Sequence, residues 1–158
     1  MKKVTITDSG EPLSDIEYGQ FVSEFNLNLP ESYKEFILDN NGGYPEESSF
    51  DSLEEDGYNI NIENFNRISV VDETFEELED KVYSAREAIQ DHQTSQEDIP
   101  SHLYPFALVL GGNNLCISMK DEDFGSIYIY ALDGRTPLQR YVASSFEELI
   151  NGLYLDED

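Results

Sequence analysis

The residues able to do chemistry here are two histidines, one cysteine and a large excess of acids. His92 and His102 have no cysteine partner at a zinc-ligand spacing and lie in polar connector sequence, so both read as solvated or structural histidines. Cys116 is the sole cysteine and cannot form an internal disulfide. Its neighbours Leu115 and Ile117 mark it as a buried strand thiol. Asp121, Asp123 and Gly125 resemble the opening of a calcium loop, but that loop needs glycine at its sixth position and glutamate at its twelfth. Here Gly125 falls fifth and Leu132 twelfth. Gly111-Gly112 is not followed by the Gly-Lys-Ser/Thr of a phosphate cradle, so it reads as a hairpin turn. Adjacent acids such as Glu46-Glu47 and Glu54-Glu55 are expected on solvated faces of a chain with 34 Asp+Glu, and do not by themselves indicate acid–base catalysis. The expectation is a protein that is not an enzyme, with no metal and no cofactor.

Charge is the stronger signal. Against 34 Asp+Glu stand 9 Lys+Arg, a formal charge of −25 over 158 residues. Phosphate backbones and anionic membranes are gripped by Lys and Arg, so direct binding to nucleic acid or to a membrane is excluded as an expectation. An electrostatic partner of this chain is basic. Between Lys34 and Arg67 there is no basic residue and nine acids, and Asp72, Glu73, Glu76, Glu77, Glu79 and Asp80 follow before Lys81. Such one-signed charge costs stability through self-repulsion, so solubility accounts for only part of it.

Disorder is opposed by 39% apolar residues, including 10 Tyr and 9 Phe. Apolar runs such as Phe106 to Leu110 are too short to span a membrane. Lys2-Lys3 leads into the alternating Val4-Thr5-Ile6-Thr7 and not into a signal-peptide core, which places the expected location in the cytoplasm.

The elements that position these residues follow from periodicity. Tyr18, Phe21, Val22 and Phe25 recur at i, i+3, i+4, i+7 after an N-cap at Ser14 or Asp15. Pro30 opens a second helix with the stripe Tyr33, Phe36, Ile37, and Gly42-Gly43 supply a left-handed stop. From Tyr44 to Val71 the pattern becomes strand-like: Tyr58, Ile60 and Ile62 alternate with asparagines, and Ile68 pairs with Val70. Thr74 and Glu77 have capping-box spacing. Phe75, Leu78, Val82, Ala85 and Ile89 then predict a single helix to about Gln90. Three antiparallel strands are expected at Pro105 to Leu110, Leu115 to Met119 and Ser126 to Leu132, followed by a closing helix with Ser145 and Glu148 as cap and Phe146, Leu149, Ile150 and Leu153 as its face. Asp8 to Pro12 and Asp91 to Pro100 are linker-like. The fold class is α+β, with a mostly antiparallel sheet flanked by helices; residues 1–13 read as an N-terminal extension and 14–158 as a single domain.

The run Leu29-Pro30-Glu31-Ser32-Tyr33-Lys34-Glu35-Phe36-Ile37, followed by Asn40-Asn41-Gly42-Gly43, resembles the N-terminal signature of the SUKH superfamily. The resemblance continues through Pro105-Phe106, Gly111-Gly112-Asn113, Gly125-Ser126-Ile127-Tyr128 and Ser144-Ser145-Phe146-Glu147-Glu148-Leu149, over about residues 14 to 154. It implies a compact α+β domain. Many bacterial members are immunity proteins that neutralise toxins delivered between cells, often nucleases, and fungal relatives regulate cell-wall assembly. The acidic stretch Asp51 to Asp56 and the absence of Trp depart from the usual pattern.

Charge and resemblance together predict an immunity protein that binds a cognate, basic toxin. A nuclease groove must be basic to hold phosphates, and carboxylates can occupy that field and speed encounter. The expected contact residues are Glu46, Glu47, Asp51, Glu54, Glu55 and Asp56 in the first acidic segment, Asp121, Glu122 and Asp123 in the second, and Tyr128 and Tyr130 on one strand face opposite Ile127 and Ile129. Tyr44, Phe50 and Tyr58 are further aromatic anchors within the acidic segment. The alternative is an intracellular scaffold or regulatory interaction module on the same fold.

Overall fold

Local capping chemistry starts the first helix. In the computed structural model, which describes residues 1–55, 57–69, 82–91, 99–131 and 138–156, helix α1 runs Asp15–Glu24. The Ser14 hydroxyl accepts the Glu17 N–H at 3.1 Å, and the Glu17 carboxylate accepts the Ser14 N–H at 3.1 Å, which satisfies two otherwise orphaned donors. Helix α2 (Glu31–Asp39) begins after Pro30 and buries Tyr33, Phe36 and Ile37. It ends at Asn40 in extended backbone, so Gly42 and Gly43 are not its immediate stop. Their φ values of 75° and 123° serve a close approach instead: a Cβ on Gly42 would lie 2.6 Å from the Arg67 backbone nitrogen, and one on Gly43 2.5 Å from the Thr7 carbonyl oxygen.

Strand β1 (Ile6–Thr7) pairs antiparallel with β2 (Tyr44–Pro45). A six-stranded sheet holds β3 (Ser49–Asp51), β4 (Asn59–Phe65), β5 (Leu103–Val109), β6 (Asn114–Ser118), β7 (Ile127–Ala131) and β8 (Leu138–Ala143) in sequential order, every neighbour antiparallel. The expected three strands of the last third are β5, β6 and β7. Strand β8 is an addition that the hydrophobic pattern did not announce.

Two expectations fail where tertiary hydrogen bonds replace local ones. Ile68 is buried but lies in no strand, because the Asn41 side chain takes its N–H at 2.7 Å and its carbonyl at 3.0 Å; Val70 falls outside the described residues. The single helix expected from Thr74 does not run through residues 82–84. Arg67 pairs with that segment, donating its backbone N–H to Tyr83 O at 3.0 Å and its Nε–H to Val82 O at 2.7 Å. Helix α3 (Ala85–Asp91) starts afresh beyond it, with the Ser84 hydroxyl accepting the Glu87 N–H at 3.0 Å; Phe75 and Leu78 lie outside the described residues. Helix α4 (Phe146–Gly152) starts at Ser145, whose hydroxyl accepts the Glu148 N–H at 3.1 Å.

Strand alternation divides the interior. Ile60, Ile62, Tyr104, Phe106, Leu115, Ile117, Ile127 and Val142 point into the main core with the buried faces of α1, α2 and α4. At its centre the Phe146 ring sits 5.4 Å from Tyr33, 5.2 Å from Phe36 and 5.5 Å from Phe106 in edge-on contacts. The opposite sheet face carries a smaller cluster of Ile99, Leu103, Cys116 and Tyr130, with Tyr128 packed against it. The buried Cys116 thiol has its pKa pushed up by desolvation, which makes it inert. The sheet also meets itself: the Leu53 N–H, in the loop after β3, donates to the Val142 carbonyl of β8 at 2.8 Å. The fold is α+β.

Candidate functional site

The first acidic segment follows β2 through β3 and the loop beyond it, and the carboxylates of Glu47, Asp51 and Glu54 are held by separate devices. Glu47 accepts the Thr5 N–H at 2.7 Å and the Thr5 hydroxyl at 3.3 Å, and the backbone hydrogen bond holds its carboxyl below the ordinary range. Asp51 Oδ1 accepts the Tyr154 hydroxyl at 3.0 Å and the Asn59 amide at 3.1 Å. Glu54 forms an ion pair with Arg140 at 2.6 Å. Glu46 and Glu55 are exposed, and Asp56 lies outside the described residues. Of the expected anchors, Tyr44 is exposed. Phe50 is corrected: it is 3% exposed and packs so tightly on α4 that a Cβ on Gly152 would lie 2.5 Å from its ring.

The second acidic group forms a 3₁₀ turn, Asp121–Asp123, between β6 and β7. Asp121 and Glu122 are exposed, whereas Asp123 accepts the Ser118 hydroxyl at 2.5 Å and the Tyr128 hydroxyl at 2.6 Å. Partial burial acts to raise the Asp123 pKa, but these two hydroxyls, with Lys120 and His102, outweigh it and hold the carboxyl below its ordinary value. Tyr128 is pushed up to about 12 by desolvation and by its bond to Asp123. Tyr130 shares the face of Tyr128 as expected, yet it is 6% exposed within the smaller cluster and presents almost no surface.

Strand β8 joins the two groups. The Arg140 guanidinium carbon lies 3.8 Å over the Tyr58 ring, the Tyr58 hydroxyl donates to the Tyr141 carbonyl at 3.4 Å, and the Tyr141 ring lies 6.1 Å from that of Tyr128. A run of contacts therefore passes from Glu54 through Tyr58, Arg140 and Tyr141 to Tyr128 and Asp123. Exposed apolar side chains flank it at both ends, Leu53 at 51% and Phe124 at 41%. Sequence reasoning missed Arg140 and Tyr141. The one available signal was the scarcity of basic residues, since an arginine in so acidic a chain must meet a carboxylate somewhere.

The other described arginines do not soften this surface. Arg67 and Arg86 are buried; Arg86 donates Nε–H to Ser69 O at 3.0 Å and pairs through both terminal nitrogens with the Glu24 carboxylate, Nη2 to Oε1 at 2.8 Å. Two of the three described arginines thus serve the interior and not the acids that follow β2.

Among the described residues no group of three or more His, Cys, Asp or Glu is arranged to hold a metal ion, and no helix is long and apolar enough to cross a membrane. No curated relative matches the sequence. The model of the SMI1 / KNR4 family (SUKH-1) matches residues 12–152, nearly the whole of the fold built above, including α1, α2, the six-stranded sheet and α4. This chain, with its helix-covered antiparallel sheet, belongs to the SMI1 / KNR4 family (SUKH-1).

Proposed function

We propose that the chain is an immunity protein that binds a cognate basic toxin, a nuclease, through the acidic surface carried by Glu46, Glu47, Asp51, Glu54, Glu55 and Asp56, with Asp121, Glu122, Asp123 and Tyr128 beyond β8. The observation that supports this most is the anchoring of Glu47, Asp51 and Glu54. Each is held by a different part of the fold, Thr5, Tyr154 with Asn59, and Arg140, so the negative field is presented in a fixed geometry and not by a loose tail. The cytoplasm, where an immunity protein meets an incoming nuclease, is the proposed location. A regulatory interaction module is the second reading, favoured by the SMI1 / KNR4 name of the matching family.

Binding of this kind needs no catalytic group on the chain. Complementary fields accelerate encounter, and fixed acids lose little conformational entropy on docking. The test is co-expression of the neighbouring gene product with the parent and with a variant carrying Glu47→Gln, Asp51→Asn, Glu54→Gln, Glu55→Gln and Asp56→Asn, alongside binding kinetics at two salt concentrations. Slower association and lost protection are expected with the fold intact. Association as fast as the parent at low salt would move the interface elsewhere.

A further inference from the structure

Arg140 is held by two groups that together meet the needs of a guanidinium. The Glu54 carboxylate takes its Nη2 at 2.6 Å, and the Tyr58 face lies 3.8 Å from its central carbon. A planar, delocalised cation that can stack and donate in its own plane fits such a pair; a compact ammonium does not exploit the ring in the same way. The arrangement is half open. The Arg140 and Glu54 side chains keep 38% and 34% of their exposure, so the guanidinium can swing into solvent without disturbing the core, and ion pairs this exposed are weakly held.

The loop backbone and the Tyr58 ring do not depend on Arg140 for their position. The loop is fastened by the Leu53 N–H to Val142 O at 2.8 Å, the Tyr58 N–H to the Ser52 hydroxyl at 3.1 Å, and the Tyr58 hydroxyl to Tyr141 O at 3.4 Å. With Arg140 displaced, the Tyr58 ring stays in place and the Glu54 carboxylate, released from its ion pair, can take an incoming cation over that ring, beside exposed Glu55 and Leu53 and within a chain of −25 formal charge.

We infer that the Glu54–Tyr58 clamp is a binding site for an arginine side chain of a basic protein partner, and that Arg140 fills it in the free protein as an internal stand-in. The inference rests on the acidic segment being the interface, and it names the side chain that the interface takes. Arg140 is then a competitor that the partner displaces.

The test is a titration of isotope-labelled parent and Arg140→Ala protein with N-acetylargininamide, and in parallel with the corresponding lysine amide, followed by backbone and Tyr58 ring resonances. Arg140→Ala should show saturable shifts at Leu53, Glu54 and Tyr58 at least tenfold tighter than the parent, with the lysine compound weaker. The further change Tyr58→Leu in the Arg140→Ala background should abolish them. If Arg140→Ala loosens the loop, faster hydrogen exchange at Leu53 should be restored by the arginine compound. Equal responses of parent and variant, equal responses to arginine and lysine, or failure to restore a loosened loop would each overturn the inference. The titration reads the clamp without any toxin present, so its failure is separable from that of the co-expression experiment, which reads the interface.

Discussion

The side chain of Asn41 hydrogen-bonds both backbone groups of Ile68, accepting its N–H at 2.7 Å and donating to its carbonyl at 3.0 Å, so one amide does for Ile68 what a neighbouring strand would. The same Nδ2 also donates to the Glu11 carbonyl at 2.7 Å, which ties the chain before α1 to the end of β4. Asn41 is 5% exposed, so water does not replace these bonds when the amide is removed. Asn41→Ala should therefore cost about 3 kcal/mol, the penalty for leaving buried backbone groups unpaired. Asn41→Asp keeps the acceptor and loses both donations. Chemical unfolding of the two variants checks this: a stable Asn41→Asp protein would show that the donated bonds contribute nothing.

Phe36 and Phe146 stand 5.2 Å apart at the centre of the main core, 4% and 0% exposed. Truncation of either to Ala should cost ~3–5 kcal/mol, because the rings around each site are pinned by other helices and strands and cannot collapse into the hole. The double variant should lose less than the sum of the two, since each single change already removes their shared contact. Urea midpoints close to the parent's would contradict both statements.

Asp123 has its carboxyl held below the ordinary value, so its folded pKa lies under its unfolded one. It therefore contributes stability that is present above about pH 4, the usual unfolded aspartate value, and lost as pH falls through the depressed folded value. Asp123→Asn should be less stable than the parent at pH 7, and the gap should narrow as pH falls below 4. Melting curves of the two proteins across that range decide it; a constant gap would show that the Ser118 and Tyr128 hydrogen bonds hold the amide and the carboxylate alike.

The formal charge of −25 makes self-repulsion a general destabilising term, and both buried arginines are already committed to internal carbonyls. Sodium chloride should raise the melting temperature by screening that repulsion over roughly 8–10 Å. The exposed Lys34–Asp15 pair at 2.6 Å loses strength under the same conditions, but a single surface pair is outweighed by repulsion summed over the whole chain. A melting temperature that falls with salt would reverse the ranking of these two effects.

Whatever depends on residues a few positions apart was legible in the amino-acid sequence. The box of Ser14 with Glu17, the capping of the Glu148 N–H by Ser145, the stripe of Tyr33, Phe36 and Ile37, and the alternation that sends Ile127 to one side and Tyr128 to the other are all short-range, set by helix and strand periods and by the reach of one side chain. The acidity of the surface was likewise legible, because charge is additive along a chain. Tertiary structure alone decided what long-range pairing overrides. Arg67 claims the backbone at Val82 and Tyr83, so the expected helix does not run through them, and Asn41 keeps Ile68 out of the sheet. Glu54 and Arg140 meet across 86 residues, over the Tyr58 ring, only because the loop after β3 folds back onto β8 at Val142. Local pattern carries no information about which distant partner will satisfy a buried donor or a lone cation; that is settled when the sheet curls and its two edges are brought within hydrogen-bonding reach.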